Sequence, residues 1–452
     1  MDSAIRMFSS LTCLLTGTSS ILFLIAVFVL SPAPVTAITL NECIEAALTM
    51  NPGLEAASYR IKVSRSAHLQ ARSAWYPLIS VSGSHTQTNN PSQAFMMELN
   101  RKTLDMTDPG FDPADPGHTY NTRFSIGMQY LLYDGGSSRL HEEMAEQGID
   151  LSRYRHAAAK NELVYEVTRG YYNTLKAGEF VSVFRETAAS IEKSLQLAKK
   201  RFAEGTALKT DVLNLEVQLA QAQEDLITAE NGFLMAIAAL NTSIGADIVS
   251  ADTLVPPADE KEAFHAPVLA EKTVDQRPEL QAAALIVKLK KTGLKRSRRA
   301  YHPSIKAFGS IDMDGRVSDS FEDSYIAGVI ATWNVFDGYA RSGAVSESRA
   351  LRNEAVAHLK QTRKQLELDL TDAKLRISNA VKRLDVTRKA LDNSEELLQM
   401  TRTQYENGAV EITALLNAHS ALTASTVRNK AAHYDYLDSL ANMNRATGQP
   451  WP

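Results

Sequence analysis

The chain has 452 residues, of which 44% are hydrophobic and 22% charged, and its formal net charge is −4. The length is enough for two or three ordinary domains. The composition excludes a disordered chain and an ordinary multi-span membrane protein, and the small net charge gives no reason to expect nucleic acid or an anionic membrane surface as a partner.

The N-terminus has the order of a secretory signal peptide. Arg6 precedes the apolar run Ile21–Leu30, and the small-residue segment Ser31–Ala37 follows that run. We predict that residues 1–37 are a signal peptide that is cleaved after Ala37. An uncleaved anchor is the alternative, but the apolar run is shorter than the roughly 20 residues that span a bilayer.

The mature chain lacks two common features of secreted and membrane proteins. Cys13 leaves with the signal peptide, so Cys43 can form neither an internal disulfide nor a cysteine-based metal site. No later stretch is apolar over the length of a bilayer, so we predict no transmembrane helix. Entry into a membrane would then require a closed β-barrel, in which every backbone polar group is paired.

An internal repeat is the strongest signal in the sequence. The segment Asn51–Ala57 is echoed by Arg277–Ala283, and Pro77 is echoed by Pro303, both 226 residues later. The offset then becomes 203 residues and holds for more than a hundred residues, at the pairs Asp134 and Asp337, Gly205 and Gly408, Leu213 and Leu416, and Gly245 and Gly448. The 23-residue difference must lie between residues 83 and 134, where turn-forming residues are frequent. We therefore predict two copies of one unit that differ mainly by one longer loop.

Each copy contains two strand-like segments followed by a long helical segment. In the strand-like segments apolar and polar residues alternate, as in barrel strands, and the apolar positions are Ile79, Val81, Phe124, Ile126, Met128, Tyr130, Tyr325, Val329 and Trp333. Apolar residues then recur at spacings of three and four, which is the pattern of packed helices, at Val181, Phe184, Ala188, Ile191, Leu195, Ala198 and Phe202. Both proline-free helical segments lead to a glycine that permits a helix stop.

These patterns predict an α+β membrane protein built from a duplicated unit of β-hairpin plus long α-helical hairpin. The first repeat is placed at 38–247, with strands at about 76–85 and 122–133 and a helical hairpin at about 138–243. Residues 248–275 are predicted to be a linker or equatorial segment. The second repeat is placed at 276–452, with strands at about 303–311 and 324–336 and a helical hairpin at about 341–446.

The order of these features resembles the TolC-type outer-membrane factors, the outer membrane efflux protein family. The resemblance covers essentially the whole mature chain and is carried by the duplicated unit and by the tip motifs Arg201–Gly205 and Tyr405–Gly408. It implies a channel in the outer membrane of a Gram-negative-type cell, in contact with outer membrane lipid and extending into the periplasm. Such a channel is a passive exit duct of an efflux or type I secretion system, supplied by an inner-membrane transporter and a periplasmic adaptor.

The number of subunits follows from the resemblance rather than from the strands. Four strands cannot close a barrel in lipid, because unpaired edges are costly there. Two chains would supply eight strands and three would supply twelve, and the residues do not choose between them. The resemblance implies a homotrimer, with four barrel strands from each chain and with the helical hairpins forming a periplasmic α-helical tunnel.

The resemblance also implies which residues act at the inner end of the tunnel. Adaptor contact is predicted at the hairpin tips, at Gly205, Thr206, Ala207, Leu208, Gly408, Ala409 and Val410. A pore constriction is predicted at Thr210, Asp211, Glu411 and Asn417, where three Asp211 carboxylates would form a ring that favours cations. Ala414 and Asn417 stand where some members carry aspartates, so a second strong acidic ring is not expected. Helix-stop glycines and a capping aspartate are the alternative readings.

We predict no catalytic site, no cofactor and no metal site, and hence no enzyme. The segment His141-Glu-Glu-Met-Ala lacks the second histidine of a zinc protease helix, and no phosphate-binding GxxxxGK[ST] loop occurs. The basic run Lys288–Arg299 lacks interleaved aromatic residues and follows a secretion signal, so it indicates a solvated or headgroup-facing segment rather than a nucleic-acid site.

The main alternative is a periplasmic coiled-coil adaptor or scaffold protein that forms no pore. It would share the signal peptide and the heptad pattern of the helices. The doubled strand pair with an apolar face argues against it. The cargo and the identity of the partner pump have no signature in the sequence.

Overall fold

The computed structural model describes residues 38–107, 112, 114–251, 253–256, 274–317 and 320–448. The predicted signal peptide and most of the predicted linker at 248–275 lie outside these residues. Within them, the chain forms eight α-helices and four strands. In chain order these are α1 (Leu40–Met50), α2 (Pro52–Arg72), β1 (Leu78–Thr88), α3 (Pro91–Asn100), β2 (Thr119–Tyr133), α4 (Ser137–Ala203), α5 (Lys209–Ile244), α6 (Pro278–Arg299), β3 (Ser304–Gly315), β4 (Phe321–Thr332), α7 (Ala340–Glu406) and α8 (Ile412–Thr447).

The two helical hairpins are equal in length and confirm the prediction of a duplicated unit. Helices α4 and α7 each have 67 residues, and α5 and α8 each have 36. At 1.5 Å per residue, the longer helices extend over about 100 Å. Apolar residues that recur at helical spacing give α4 a continuous buried side. Its buried residues include Val181, Ala188, Ile191, Leu195 and Ala198.

Both long helices end in the same way. Gly205 and Gly408 have φ angles of +76° and +73°, a conformation that glycine adopts without strain. The backbone N–H of Thr206 then donates to the carbonyl of Arg201, and that of Ala409 donates to the carbonyl of Gln404, each at 2.8 Å. These bonds occupy carbonyl groups at the helix end that have no partner inside the helix.

The four strands form one antiparallel sheet in the order β1-β2-β3-β4. Its register brings residues of like character side by side across all four strands. One face carries Ile79, Val81, Phe124, Ile126, Met128, Ile311, Met313, Tyr325 and Val329. The other face carries the polar rows Ser82, Ser125, Asp312, Ser324 and Ser84, Arg123, Asp314, Glu322. The sheet is therefore apolar on one side and polar on the other over much of its length.

Strand β4 ends at Thr332, whereas the sequence pattern placed its end near residue 336. Thr332 pairs with Ser304, and the residue before Ser304 is Pro303, which has no backbone N–H to continue the ladder. The carbonyl of Val335 instead accepts from the Arg341 guanidinium at 3.3 Å. In the sequence, the alternation of apolar and polar residues continues to Val335, a few residues beyond the last paired residue of β4.

The longer loop of the first copy contains a helix that the turn-forming residues did not predict. Asn90 precedes Pro91, and its side-chain oxygen accepts from the backbone N–H groups of Ser92 and Gln93 at 3.1 and 3.3 Å. An N-cap asparagine followed by proline at the first helical position is a helix-start signal. Helix α3 is the result, and it packs against β2.

Helix α4 lies at the centre of the helical layer. Near the sheet it packs between α2 and α6, and α6 packs in turn against α7. Near the hairpin tips it packs between α5 and α8, and α8 packs against α7. Among the described residues, none of the helices combines the length and the apolarity that a bilayer crossing requires.

The N-terminal helix closes a core at mid-height of the layer. Cys43 of α1, Val167 and Tyr171 of α4 and Leu240 of α5 belong to one buried cluster. The Tyr171 hydroxyl donates to the carbonyl of Val255 at 2.5 Å, which ties the segment after the first hairpin to α4. Burial raises the pKa of the Cys43 thiol to about 11, which favours its neutral form at physiological pH.

Substitution of Gly245 by alanine tests the end of the first hairpin. Gly245 has a φ angle of +87°, and an added Cβ would lie 2.8 Å from Cδ of Pro52 and 2.9 Å from the Met50 carbonyl. We expect Gly245→Ala to lower the free energy of unfolding by at least about 1–2 kcal/mol, measured by circular dichroism in detergent during chemical denaturation.

The matched control is Gly232→Ala in the interior of α5, where an added Cβ meets no atom within 4 Å. Alanine should raise the stability there by about 0.5–1 kcal/mol, because it restricts the unfolded chain. A Gly245→Ala protein as stable as the Gly232→Ala protein would contradict the steric argument.

Candidate functional site

The tips of the two hairpins are joined by one arginine. Arg201, at the end of α4, donates from Nη1 to the carbonyl of Tyr405 at 2.7 Å and from Nη2 to the carbonyl of Glu406. These carbonyls belong to the last turn of α7, where carbonyl groups lack helical partners and carry partial negative charge. The guanidinium carbon also lies 5.4 Å from the centre of the Tyr405 ring. Arg201 therefore fastens the second hairpin to the first.

Tyr405 is the buried centre of this contact. Its side chain is 4% exposed, and its hydroxyl has no hydrogen-bond partner among the described residues. Burial raises the pKa of Tyr405, and the negative charge of Asp211 raises it further, whereas Arg201 lowers it. Asp211 of the first hairpin thus acts electrostatically on a side chain of the second hairpin.

Asp211 also has a local structural role. It is half-buried in the first turn of α5, and its carboxylate accepts from the backbone N–H of Leu208 at 3.3 Å. A carboxylate at this end of a helix satisfies a free N–H group and compensates the positive end of the helix dipole. The neighbouring Thr210 is exposed.

The two residues of the second hairpin that are predicted to lie at the constriction, Glu411 and Asn417, are exposed. Glu411 immediately precedes α8, and its carboxylate accepts from the Thr413 hydroxyl at 3.5 Å. Asn417 is exposed one turn further along α8, while Ala414 is half-buried. Thr210, Asp211 and Glu411 therefore all lie within one turn of a hairpin tip, and Asn417 lies just behind them.

The tip turns combine an exposed edge with a packed base. Gly205, Thr206, Leu208, Gly408 and Ala409 are exposed, and the Leu208 side chain is 69% exposed. Ala207 and Val410 are half-buried. The core beneath them belongs to both hairpins and contains Ile191, Leu195, Val212, Leu215, Tyr405, Ile412 and Leu415. The exposed turns thus sit on a well-packed support, which suits a surface that binds another protein.

The pairing of Arg201 with Tyr405 is the main feature that sequence reasoning missed. Both residues occur in the tip motifs, and Tyr405 also continues the heptad pattern of α7. The motifs do not reveal the pairing, because the two residues are 204 positions apart and meet only when the hairpins pack. The structure also shows that, within its described residues, no group of three or more His, Cys, Asp or Glu side chains could hold a metal ion.

Comparison with known proteins identifies the family of this architecture. A family model described as "Outer membrane efflux protein" matches residues 43–246 and 269–449. "Outer membrane protein TolC" of Vibrio cholerae is 20% identical over 332 residues, which are 72% of this chain and 76% of that protein. "Alkaline protease secretion protein AprF" of Pseudomonas aeruginosa is 22% identical over 349 residues, which are 72% of this chain and 69% of that protein.

A solved structure shares the fold. A membrane protein from Pseudomonas aeruginosa superposes with a TM-score of 0.78 at 20% sequence identity. The match covers 90% of this chain and 93% of that protein. It extends over both copies of the repeat, so the arrangement of strand pair and helical hairpin is common to the two proteins.

Replacement of Arg201 by alanine tests the link between the hairpins. We expect faster amide hydrogen exchange across residues 403–411 in Arg201→Ala, because the carbonyls of Tyr405 and Glu406 lose the Arg201 guanidinium as a donor. Arg201→Lys should restore only part of the protection, since lysine cannot donate from a planar fork.

The control is Arg402→Ala, on the same turn of α7. Arg402 pairs with Glu406 at 3.2 Å on an exposed surface, and such pairs contribute little. If the rate of amide hydrogen exchange at residues 403–411 rises equally in Arg402→Ala and Arg201→Ala, then Arg201 does not hold the tip of the second hairpin.

Proposed function

The chain belongs to the outer membrane efflux protein family, and from this premise we propose how it assembles and where it narrows. It is an outer-membrane channel protein of the type that serves tripartite efflux or type I secretion. We propose that three copies form one duct from the outer membrane into the periplasm. The observation that carries this proposal is that the sheet and the helical layer of each subunit both end in two open edges.

The sheet supports assembly through its two edges. Among the strands that the structure describes, β1 pairs only with β2, and β4 pairs only with β3. Edge strands present unpaired N–H and C=O groups, which are costly in lipid. Pairing β4 of one copy with β1 of the next satisfies both edges, and three copies give a closed sheet of twelve strands. The apolar face then contacts lipid and the polar face lines the duct.

The helices support the same assembly. Helix α5 packs on α4, and the side turned away carries the exposed residues Leu213, Val217, Ile227 and Leu234. Helix α7 packs on α8, and a second apolar stripe contains Leu368, Leu375, Val386, Leu397 and Met400. Each stripe recurs with the period of a helix, and each lies at an outer side of the four-helix layer. We propose that α7 of one copy packs on α5 of the next through these stripes.

The hairpin tips are proposed to bind the periplasmic adaptor. Gly205–Leu208 and Gly408–Val410 are the turns that project furthest along the hairpins, and most of their residues are exposed. Two similar turns per chain would give six similar binding positions in a trimer. The chain itself is proposed to catalyse no reaction, and the energy for transport comes from an inner-membrane transporter bound through the adaptor.

The constriction is proposed to lie just behind the tips. Thr210, Asp211, Glu411 and Asn417 are polar or acidic. Thr210 and Asp211 lie in the first turn of α5, Glu411 directly precedes α8, and Asn417 lies in its second turn. Three copies of Asp211 and Glu411 around one axis would favour cations over anions. Arg201 and Tyr405 set the position of the second hairpin and hence the width of this ring. Export to the outer membrane is proposed to use residues 1–37 as a cleaved signal peptide.

Disruption of the α5 stripe tests the trimer. We expect the purified wild-type protein to have three times the subunit mass by light scattering in detergent. Val217→Asp should shift the protein toward smaller species, because it buries a charge in the proposed contact between subunits. Gln221→Asp, which is exposed on the flank of the same helix, should leave the trimer intact. A trimeric Val217→Asp protein would exclude this stripe as the contact.

Single-channel recording tests both the duct and its constriction. In a planar bilayer we expect discrete current steps that are selective for cations. Asp211→Asn should reduce the ratio of cation to anion permeability, because the ring loses three negative charges. Asp385→Asn, an exposed residue of α7 far from the tip, should leave that ratio unchanged.

The outcomes separate the two parts of the proposal. Current steps with unaltered selectivity in Asp211→Asn would retain the channel and remove Asp211 from the constriction. A folded trimer that conducts in no variant, including one with both Arg201 and Asp211 replaced by alanine, would contradict an open duct through the subunit ring.

A further inference from the structure

Helix α3 covers the polar face of the sheet at the end furthest from the helical layer. Asn121 and Asp314 belong to this face, yet they are only 5% and 0% exposed. Polar residues on an uncovered sheet face would be accessible to solvent. Arg101, which directly follows α3, is 2% exposed, and α3 packs against β2. The helix therefore lies over the polar face rather than beside the sheet.

Charged side chains fasten α3 to three parts of the sheet. Arg101 donates to the carbonyl of Tyr120 in β2 and to the carboxylate of Glu98. Glu98 also accepts from Arg316, in the connection between β3 and β4, at 3.1 Å. Lys102 lies 3.2 Å from the carboxylate of Glu322 in β4. Because these contacts reach β2, β4 and the connection after β3, they determine both the position and the direction of the helix.

The groups beneath the helix form a second polar layer. One oxygen of Asp314 accepts from Asn121 at 2.5 Å and from Arg123 at 2.8 Å. Nε of Arg101 and the second oxygen of Asp314 are buried without a hydrogen-bond partner in the described structure. Buried charged groups are tolerated when they are paired, and loss of one partner leaves the other charge uncompensated. In the seated position of α3, the charge of Arg101 is compensated by Glu98 and by the carbonyl of Tyr120.

The opposite side of α3 is apolar and exposed. Ala94 is buried against the sheet, whereas Met96 and Leu99 are 51% and 47% exposed. The second copy of the repeat has no counterpart, because β3 and β4 are joined by only a few residues at the corresponding place. A trimer would therefore contain three such helices, one from each subunit.

We propose that α3 forms an apolar constriction at the outer mouth of the duct, with Met96 and Leu99 of three subunits directed toward its axis. The inference rests on the proposed function, in which the polar face of the sheet lines the duct. A helix that covers this face lies inside the duct, and its free side points to the axis. An apolar ring at a narrow place disfavours a continuous column of water and slows the passage of ions. The duct then has a polar, acidic constriction at its inner end and an apolar one at its outer end.

Cysteine cross-linking between subunits tests this placement without depending on the inner constriction. In a Cys43→Ala background, Leu99→Cys should give cross-linked dimers with a short bifunctional maleimide on a denaturing gel, because each subunit then offers one thiol and the reagent joins two. Val81→Cys, on the apolar face of β1 and 74% exposed, should give none, because copies of that face point away from each other. Arg316→Ala added to Leu99→Cys should lower the yield of cross-links, because α3 loses one of its attachments.

A current measurement provides the second readout. A positively charged thiol reagent added from the outer side should reduce the single-channel current of Leu99→Cys and leave that of Val81→Cys unchanged. A trimeric, conducting Leu99→Cys protein that shows neither cross-links nor loss of current would overturn the inference and leave the proposed function intact. A wild-type protein that is neither trimeric nor conducting would overturn both the inference about α3 and the proposed function.

Discussion

The unpaired edges of the four-stranded sheet are the constraint on which the rest of the structure depends. Strands β1 and β4 each leave one row of backbone N–H and C=O groups without partners in the subunit. In the proposed assembly these edges lie in lipid, where no water is present to satisfy such groups, and the sheet continues into another copy. The division of the sheet into an apolar and a polar face agrees with this proposal, in which one side of a closed sheet contacts lipid and the other water.

The helical layer has a similar constraint, which concerns uncovered apolar side chains instead of unpaired backbone groups. Helix α4 is buried on both flanks, whereas α5 and α7 each have an apolar stripe that none of the helices described in the structure covers. In the proposed assembly, the equal lengths of 67 and 36 residues in the two hairpins let the copies alternate around a ring without a step. The contact between Arg201 and Tyr405 then sets the relative position of the two tips within each subunit.

The two copies of the repeat have diverged where function requires a difference. At the tips, Asp211 in the first copy corresponds to Ala414 in the second, so the copies contribute unequally to any ring of charge. At the other end, α3 is present only in the first copy and is held by a buried network around Arg101 and Asp314. In the proposed assembly the duplicated unit forms the wall of the duct, and the departures from the repeat form its two narrow places.

The sequence alone determined the features that depend on local periodicity. The alternation along Ile79 and Val81, the heptads of α4 and the stops at Gly205 and Gly408 follow from residues close to one another in the chain. The duplication follows from the recurrence of these local patterns at a fixed offset. The same patterns carried the family resemblance, which the comparison with known proteins confirmed.

Only the tertiary structure decided which distant residues meet. The carbonyl of Tyr405 accepts from an arginine 204 positions earlier, and Asp314 accepts from Asn121, 193 positions earlier. Neither pair has a periodic signature, because each arises from the packing of one copy of the repeat on the other. The sequence also did not reveal that α3 covers the polar face of the sheet. Turn-forming and capping residues indicate where a loop turns and where a helix starts, but not the surface onto which the segment folds. The local period of apolar residues specifies a helix or a strand. The neighbours of that helix or strand depend on how all the elements of the chain pack together.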